Sequence, residues 1–182
     1  MSPLQQPKLR FSDAVYAIDT SPKALRLWIQ RKQVRLSGTT GEGWAEFSFA
    51  DIAQLAITRK LVDFGMQVER ANEIAAGLLA KIAGPVMRFK NPPPEVIAAA
   101  FNGYVLIFWR ERGEWRWRVD HPGNDGGAPD EAFAAVDLGV TVLKAIHRAK
   151  SGSGDTEEDI VTSLKKLAIT IADRPLTTES DA

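Results

Sequence analysis

Two helix starts stand on either side of a glycine-rich stretch, and their order restricts what the first half of this 182-residue chain can fold into. Ser21-Pro22 joins a hydroxyl that can accept from a free helical amide to a proline whose φ already suits a first helical position. Ser48 followed by Asp51 has the spacing of a capping box in its aspartate form. Between them Gly38, Gly41 and Gly43 interrupt polar residues and lead into Trp44-Ala45-Glu46-Phe47, so a short hairpin is expected over Arg35 to Phe47. The first start predicts a helix to about Lys32, with Leu25, Trp28 and Ile29 on one face and Lys23, Arg26 and Gln30 on another. Ahead of it Ser12 is expected to cap a short helix that turns Val15 and Ile18 inward, and Asp19-Thr20 to make a tight turn. The second start predicts a helix burying Ile52, Leu55 and either the Arg59 stem or Leu61, closed by Phe64-Gly65. A further helix from about Gln67 to Ile82 presents Val68, Ala71, Ala75, Leu78, Leu79 and Ile82 at helical spacing.

Two composition breaks follow. Gly84-Pro85 through Asn91-Pro92-Pro93-Pro94 reads as an extended spacer, because prolines disfavour helix, and Ser151-Gly152-Ser153-Gly154 reads as a flexible linker. The expected division is residues 1–83, a proline-rich linker 84–94, a small α/β module 95–150 and an acidic tail 151–182. In the module, Tyr104 to Arg110 and Trp115 to Asp120 are strand-like around a turn at Glu111 to Glu114. The first strand is apolar on both faces, which suits a central or interfacial position. Ala132 to Leu138 reads as a third strand or as the beginning of the helix Gly139 to Lys150. The tail offers Ile160, Leu164, Leu167 and Ile171 as one amphipathic stripe, or simply solubilises the chain. The fold class is therefore α+β.

Composition removes several chemistries. No cysteine is present, which excludes disulfides, thiolate metal sites and cysteine nucleophiles, and His121 and His147 are too far apart in sequence for a ligand pair and read as surface or turn residues. No apolar run is long enough to span a bilayer, so no membrane partner and a cytoplasmic location are expected. No catalytic constellation, metal site or cofactor motif is found, and the expectation is a protein that is not an enzyme. Net charge is zero, yet residues 1–83 carry 11 Lys and Arg against 8 Asp and Glu, while residues 151–182 carry 3 against 7. The basic excess is densest from Lys8 to Arg35, where a phosphate backbone would meet it.

The order of short helix, Ser-Pro, Leu-Arg-x-aromatic, glycine-rich stretch, Gly-aromatic, Ser-x-x-Asp-aliphatic and Leu-x-x-x-Gly resembles the MerR-type winged helix-turn-helix regulators over roughly residues 11–82. The resemblance implies a recognition helix beginning at Ser21, with Arg26 and Trp28 near the DNA backbone, and a wing ending at Gly43-Trp44. Ser21, Lys23, Arg26, Trp28, Gln30, Arg31, Arg35 and Trp44 are the expected DNA-binding residues. It also implies a sequence-specific transcriptional regulator on double-stranded DNA in the bacterial nucleoid, with RNA polymerase or another protein as a further partner. The family's usual helical dimer and its metal sensing do not carry over, and the homodimer is expected from the α/β module at 95–150, which dimerises or receives a signal. Asp19 stands where the family usually has glycine, and aspartate tolerates that geometry. Ala45 and Glu46 replace the usual wing arginines, which weakens the wing's expected phosphate contacts, and Arg35 is placed to compensate. The family's long dimerising helix gives way to prolines and a β-rich segment. Two other readings remain open here: an excisionase-like factor that bends DNA, and a protein-protein interaction module without DNA binding. Trp109, Trp115 and Trp117, interleaved with arginines, suit a stacking platform for single strands, a pocket for an aromatic or cationic ligand, the core of a small sheet, or the apolar centre of a dimer interface.

Overall fold

The computed structural model describes residues 9–36, 46–88, 93–121, 126–127, 129 and 132–151. The chain is α+β: α1 (Phe11–Ala17), α2 (Pro22–Gln30), α3 (Phe49–Asp63), α4 (Val68–Leu78), a π-helical turn (Leu79–Ala83), α5 (Gly84–Met87), α6 (Pro94–Ala100), β1 (Val105–Glu111), β2 (Glu114–Asp120), β3 (Phe133–Asp137) and α7 (Leu138–Ser151).

Local chemistry sets most boundaries. Ser21 Oγ accepts from the Ala24 amide at 3.1 Å with Pro22 opening the helix. At the second start the Ser48 hydroxyl accepts from the Asp51 amide at 3.1 Å while the Asp51 carboxylate accepts from the Ser48 amide at 2.8 Å. Ser48→Ala is expected to lower stability by about 1–2 kcal/mol in urea denaturation, because it removes the acceptor for a helical amide and a partner of the buried Asp51 carboxylate. Gly65, at φ 87°, closes α3: its amide bonds the Val62 carbonyl and the Met66 amide bonds that of Leu61. The start of α1 differs from expectation. The helix opens at Phe11, one residue before Ser12, because the Asp13 carboxylate reaches back to the Arg10 amide at 2.9 Å, and the Ser12 hydroxyl turns to Asp13.

The expected extended spacer over 84–94 is also corrected at its two ends, residues 89–92 lying outside the described residues. Gly84–Met87 is helical and Pro94 opens α6. A proline lacks the amide that a helix interior needs and crowds the carbonyl four residues earlier, but a first turn asks for neither. Pro85 lies in the first turn of α5, directly after the π turn in which the hydrogen-bond ladder changes register.

The sheet has the order β2-β1-β3 with both pairings antiparallel, so β1 is central. Arg112 and Gly113, at φ 50° and 85°, make the two-residue turn between β1 and β2. Leu106, Phe108 and Val136 face the helices and are buried. The three tryptophans form no single platform: Trp115 packs on Phe108 at 5.8 Å, Trp117 is 39% exposed, and Trp109 lies on the opposite face, paired across the ladder with Arg116. Arg116 and Arg118 are engaged by Glu111 and Asp120. The reading as small-sheet core holds for Trp115. β3 is a strand, and α7 begins directly after it with the Asp137 carboxylate accepting from the Val140 amide at 2.8 Å. Gly139 lies at a close approach, since a Cβ there would stand 3.1 Å from the Asn102 Cα and the Phe101 carbonyl, a tight contact. His121 is exposed, whereas His147 is half-buried on α7.

Packing does not stop where the sequence breaks. α3 is buried along Ala50 to Thr58 and at Leu61, the pattern of a helix enclosed on all sides. Ile52, Leu55 and Ala56 join one cluster with Leu25, Trp28 and Phe47, to which α7 adds Ala145 and Ala149. Ala53, Ile57 and Leu61 join a second with Leu78, Ile97, Phe101, Phe108, Val142 and Ile146. α3 and α7 thus belong to both clusters, and residues from either side of 84–94 share one core. The ion pair of Lys150 with Glu95 ties α7 to α6, and the lysine holds the Glu95 carboxyl below its ordinary range.

Candidate nucleic-acid interface

α2 is amphipathic in the sense its sequence predicts. Leu25 is 0% and Trp28 7% exposed, Ile29 is half-buried, and Lys23, Arg26 and Gln30 are exposed at positions that share a face. Burial on one side fixes the rotation of the helix, so the cationic side has to face solvent. Arg31, the residue that caps α2, and Arg35, beyond the following turn, are exposed as well. The Arg26 guanidinium lies 5.2 Å above the Phe11 ring, and that ring lies 6.3 Å from Phe47. A cation over an aromatic face loses rotamer freedom before any ligand arrives.

The C-terminal end of α2 is closed by a tight turn. The Lys32 amide bonds the Ile29 carbonyl at 3.0 Å and the Gln33 amide bonds that of Trp28 at 2.9 Å, with Lys32 left-handed at φ 55°. Before α2 the turn is also left-handed, with Asp19 at φ 51°, which aspartate accepts more readily than most residues. Arg59 Nε donates to the Asp19 carbonyl at 3.3 Å, and Arg148 of α7 stands 4.0 Å from the Asp19 carboxylate. α3 and α7 therefore each present an arginine to the turn before α2.

Of the expected site residues, Ser21 caps α2, and Lys23, Arg26, Gln30, Arg31 and Arg35 are all exposed. Trp28 departs from the rest: it is 7% exposed and packs in the core, so it positions the helix from beneath. Trp44 and the hairpin it was expected to end lie outside the described residues, as does the tail's amphipathic stripe. Phe47 pairs with Leu9, amide to carbonyl in both directions at 2.9 and 3.0 Å. Sequence reasoning missed Gln54 and Asn72, polar side chains 6% and 3% exposed. Gln54 Nε2 donates to the Arg35 carbonyl and to Asn72 Oδ1, both at 2.8 Å. Gln54 leaves a trace in the sequence as a polar residue amid Ile52, Ala53, Leu55 and Ala56, whereas Asn72, between Ala71 and Glu73 on a charged stretch, leaves none. Among the described residues no group of three or more His, Asp or Glu is placed to hold a metal ion, and no helix is long and apolar enough to cross a membrane.

Residues 9–78 match the model of the MerR HTH family regulatory proteins. The match runs from the Leu9 pairing to the end of α4, so the N-terminal region is a MerR-type helix-turn-helix region and the remainder of the chain lies beyond it. No curated protein matches the chain.

Proposed function

We propose, from the premise of a MerR-type helix-turn-helix region at residues 9–78, that this chain is a transcriptional regulator that binds double-stranded DNA in a sequence-specific manner through α2, acting as a dimer on the bacterial nucleoid in the cytoplasm and not as an enzyme. The observation that carries the reading is the exposed face of Lys23, Arg26 and Gln30 on a helix whose other face is locked into the core. Arginine matches guanine or phosphate with two parallel hydrogen bonds, glutamine matches the adenine edge, and lysine neutralises a phosphate. The positive end of the α2 dipole at Ser21 favours a further phosphate, and Arg31 and Arg35 extend the cationic surface beyond the helix end. Trp44 is assigned to this interface by the family resemblance alone. RNA polymerase or another protein is the further partner this reading includes.

The dimer places two recognition helices on successive major-groove faces and joins weak half-site contacts by effective concentration. Its contacts are assigned to the chain beyond residue 78, where Phe133 is 46% exposed on the sheet face opposite Phe108.

Selection from random duplexes, followed by affinity measurement over a range of salt, tests the proposal. The unsubstituted protein should enrich a two-fold symmetric sequence. Arg26→Ala should lose about 10- to 100-fold in affinity and relax preference at one position per half-site, whereas Lys23→Ala should weaken all sequences alike and lower the salt slope by about 1. Absence of any enriched sequence, with both variants binding like the parent, would refute it.

A further inference from the structure

The Gln54 side chain lies under the exit from α2, where the chain follows no regular element from Gln33 to Leu36. Val34 is buried and Arg35 is exposed, so the backbone alternates between anchor and surface. One primary amide carries two N–H groups, and both of Gln54's are committed: one to the Arg35 carbonyl and one to Asn72 Oδ1, each at 2.8 Å. Thr58 Oγ1 in turn bonds the Gln54 carbonyl on α3 at 2.8 Å. A cavity of about 240 Å³ separates the Arg35 segment from α4, lined by Lys32, Gln33 and Arg35 on one side and Glu69, Asn72, Glu73 and Ala76 on the other. The Gln54–Asn72 pair bridges the two walls across a gap that apolar packing does not fill. A buried amide of this kind stays only where every group is satisfied, because an unmade bond in the interior is expensive.

We propose that Gln54 is a positioning residue for DNA binding: by holding the Arg35 carbonyl it fixes where the Arg35 guanidinium meets phosphate. The inference rests on the reading of α2 as a DNA-binding element and extends it to a residue that touches no DNA. Without that bond the Arg35 backbone has more freedom to lose on binding, and that entropy is lost from affinity. Asn72 Oδ1 accepts from the same amide and orients it.

The test is a double-mutant cycle on the full chain with a selected duplex, reading affinity and salt slope, alongside urea denaturation without DNA. Gln54→Met, close in volume and without donors, should lose about tenfold in affinity and about 1 in salt slope; Arg35→Ala should do the same, and the double variant should bind no worse than Arg35→Ala. A Gln54→Met protein that is less stable in urea but keeps the parental salt slope overturns the proposal, as does a loss that adds in full to that of Arg35→Ala. Should Gln54→Met not fold, Asn72→Ala, which removes the acceptor that orients the amide, is judged by the same two readouts. If Arg26→Ala weakens binding while Arg35→Ala leaves it unchanged, the positioning role fails and the reading of α2 stands. If the unsubstituted protein binds no duplex, both fail.

Discussion

A chain ended after Arg88 is expected to lose its cooperative unfolding transition. Its α3 would keep Ile52 and Leu55 against α2 but would turn Ala53, Ile57 and Leu61 toward water, because Ile97, Phe101, Val142 and Ile146 would be gone. Leu78 of α4 and the side chains of the π turn would be uncovered with them. Fully burying one such side chain is worth about 1.5–3 kcal/mol, and a domain of ordinary size has about 5–15 kcal/mol in all, so uncovering three or four removes most of what holds the fragment. The first cluster also loses Ala145 and Ala149 of α7, and the turn before α2 loses Arg148. Urea denaturation followed by circular dichroism should show a broad slope for the fragment and a sigmoid for the full chain, with binding of a hydrophobic dye to the fragment alone. A sharp transition from the fragment would mean that the region matched to the regulator family carries its own core.

The second large effect is expected at Phe47, which is 1% exposed. Phe47→Ala should lower stability by about 3–5 kcal/mol, since the lost transfer free energy and the cavity left behind add. The consequence extends to the interface. Phe47 holds Leu9 through the paired backbone and stands behind Phe11, whose other side carries the Arg26 guanidinium. In protein that remains folded at low temperature, Phe47→Ala should therefore also weaken DNA binding. Phe47→Leu, which restores much of the volume but not the ring, should cost less than about 1.5 kcal/mol of stability. Calorimetry and affinity on the same samples separate the two contributions, and equal DNA affinity for Phe47→Ala and the parent would show that the stack behind Arg26 has no part in binding.

The sequence by itself determined what depends on neighbours three or four residues apart. Ser21-Pro22, Ser48 with Asp51, Phe64-Gly65 and the turn before Glu114 each carry their own hydrogen-bond geometry or dihedral preference, and each stands where it was expected. The cationic face of α2 was equally open to reading, because Leu25 and Trp28 leave only one side for Lys23, Arg26 and Gln30. At the start of α1 two local caps competed, and Asp13 prevailed over Ser12 through a bond back to Arg10. Tertiary structure alone decided the rest. Pro85 and Pro94 permit helix or spacer by their own chemistry, and the packing of Val86, Met87 and Ile97 against the core selects helix. Gln54 meets Arg35 and Asn72 at separations of 19 and 18 residues, and Arg59 meets Asp19 at 40. A side chain's own identity cannot name such partners, because which distant backbone group stands within hydrogen-bond reach is settled only when the helices that carry them bury their apolar faces together.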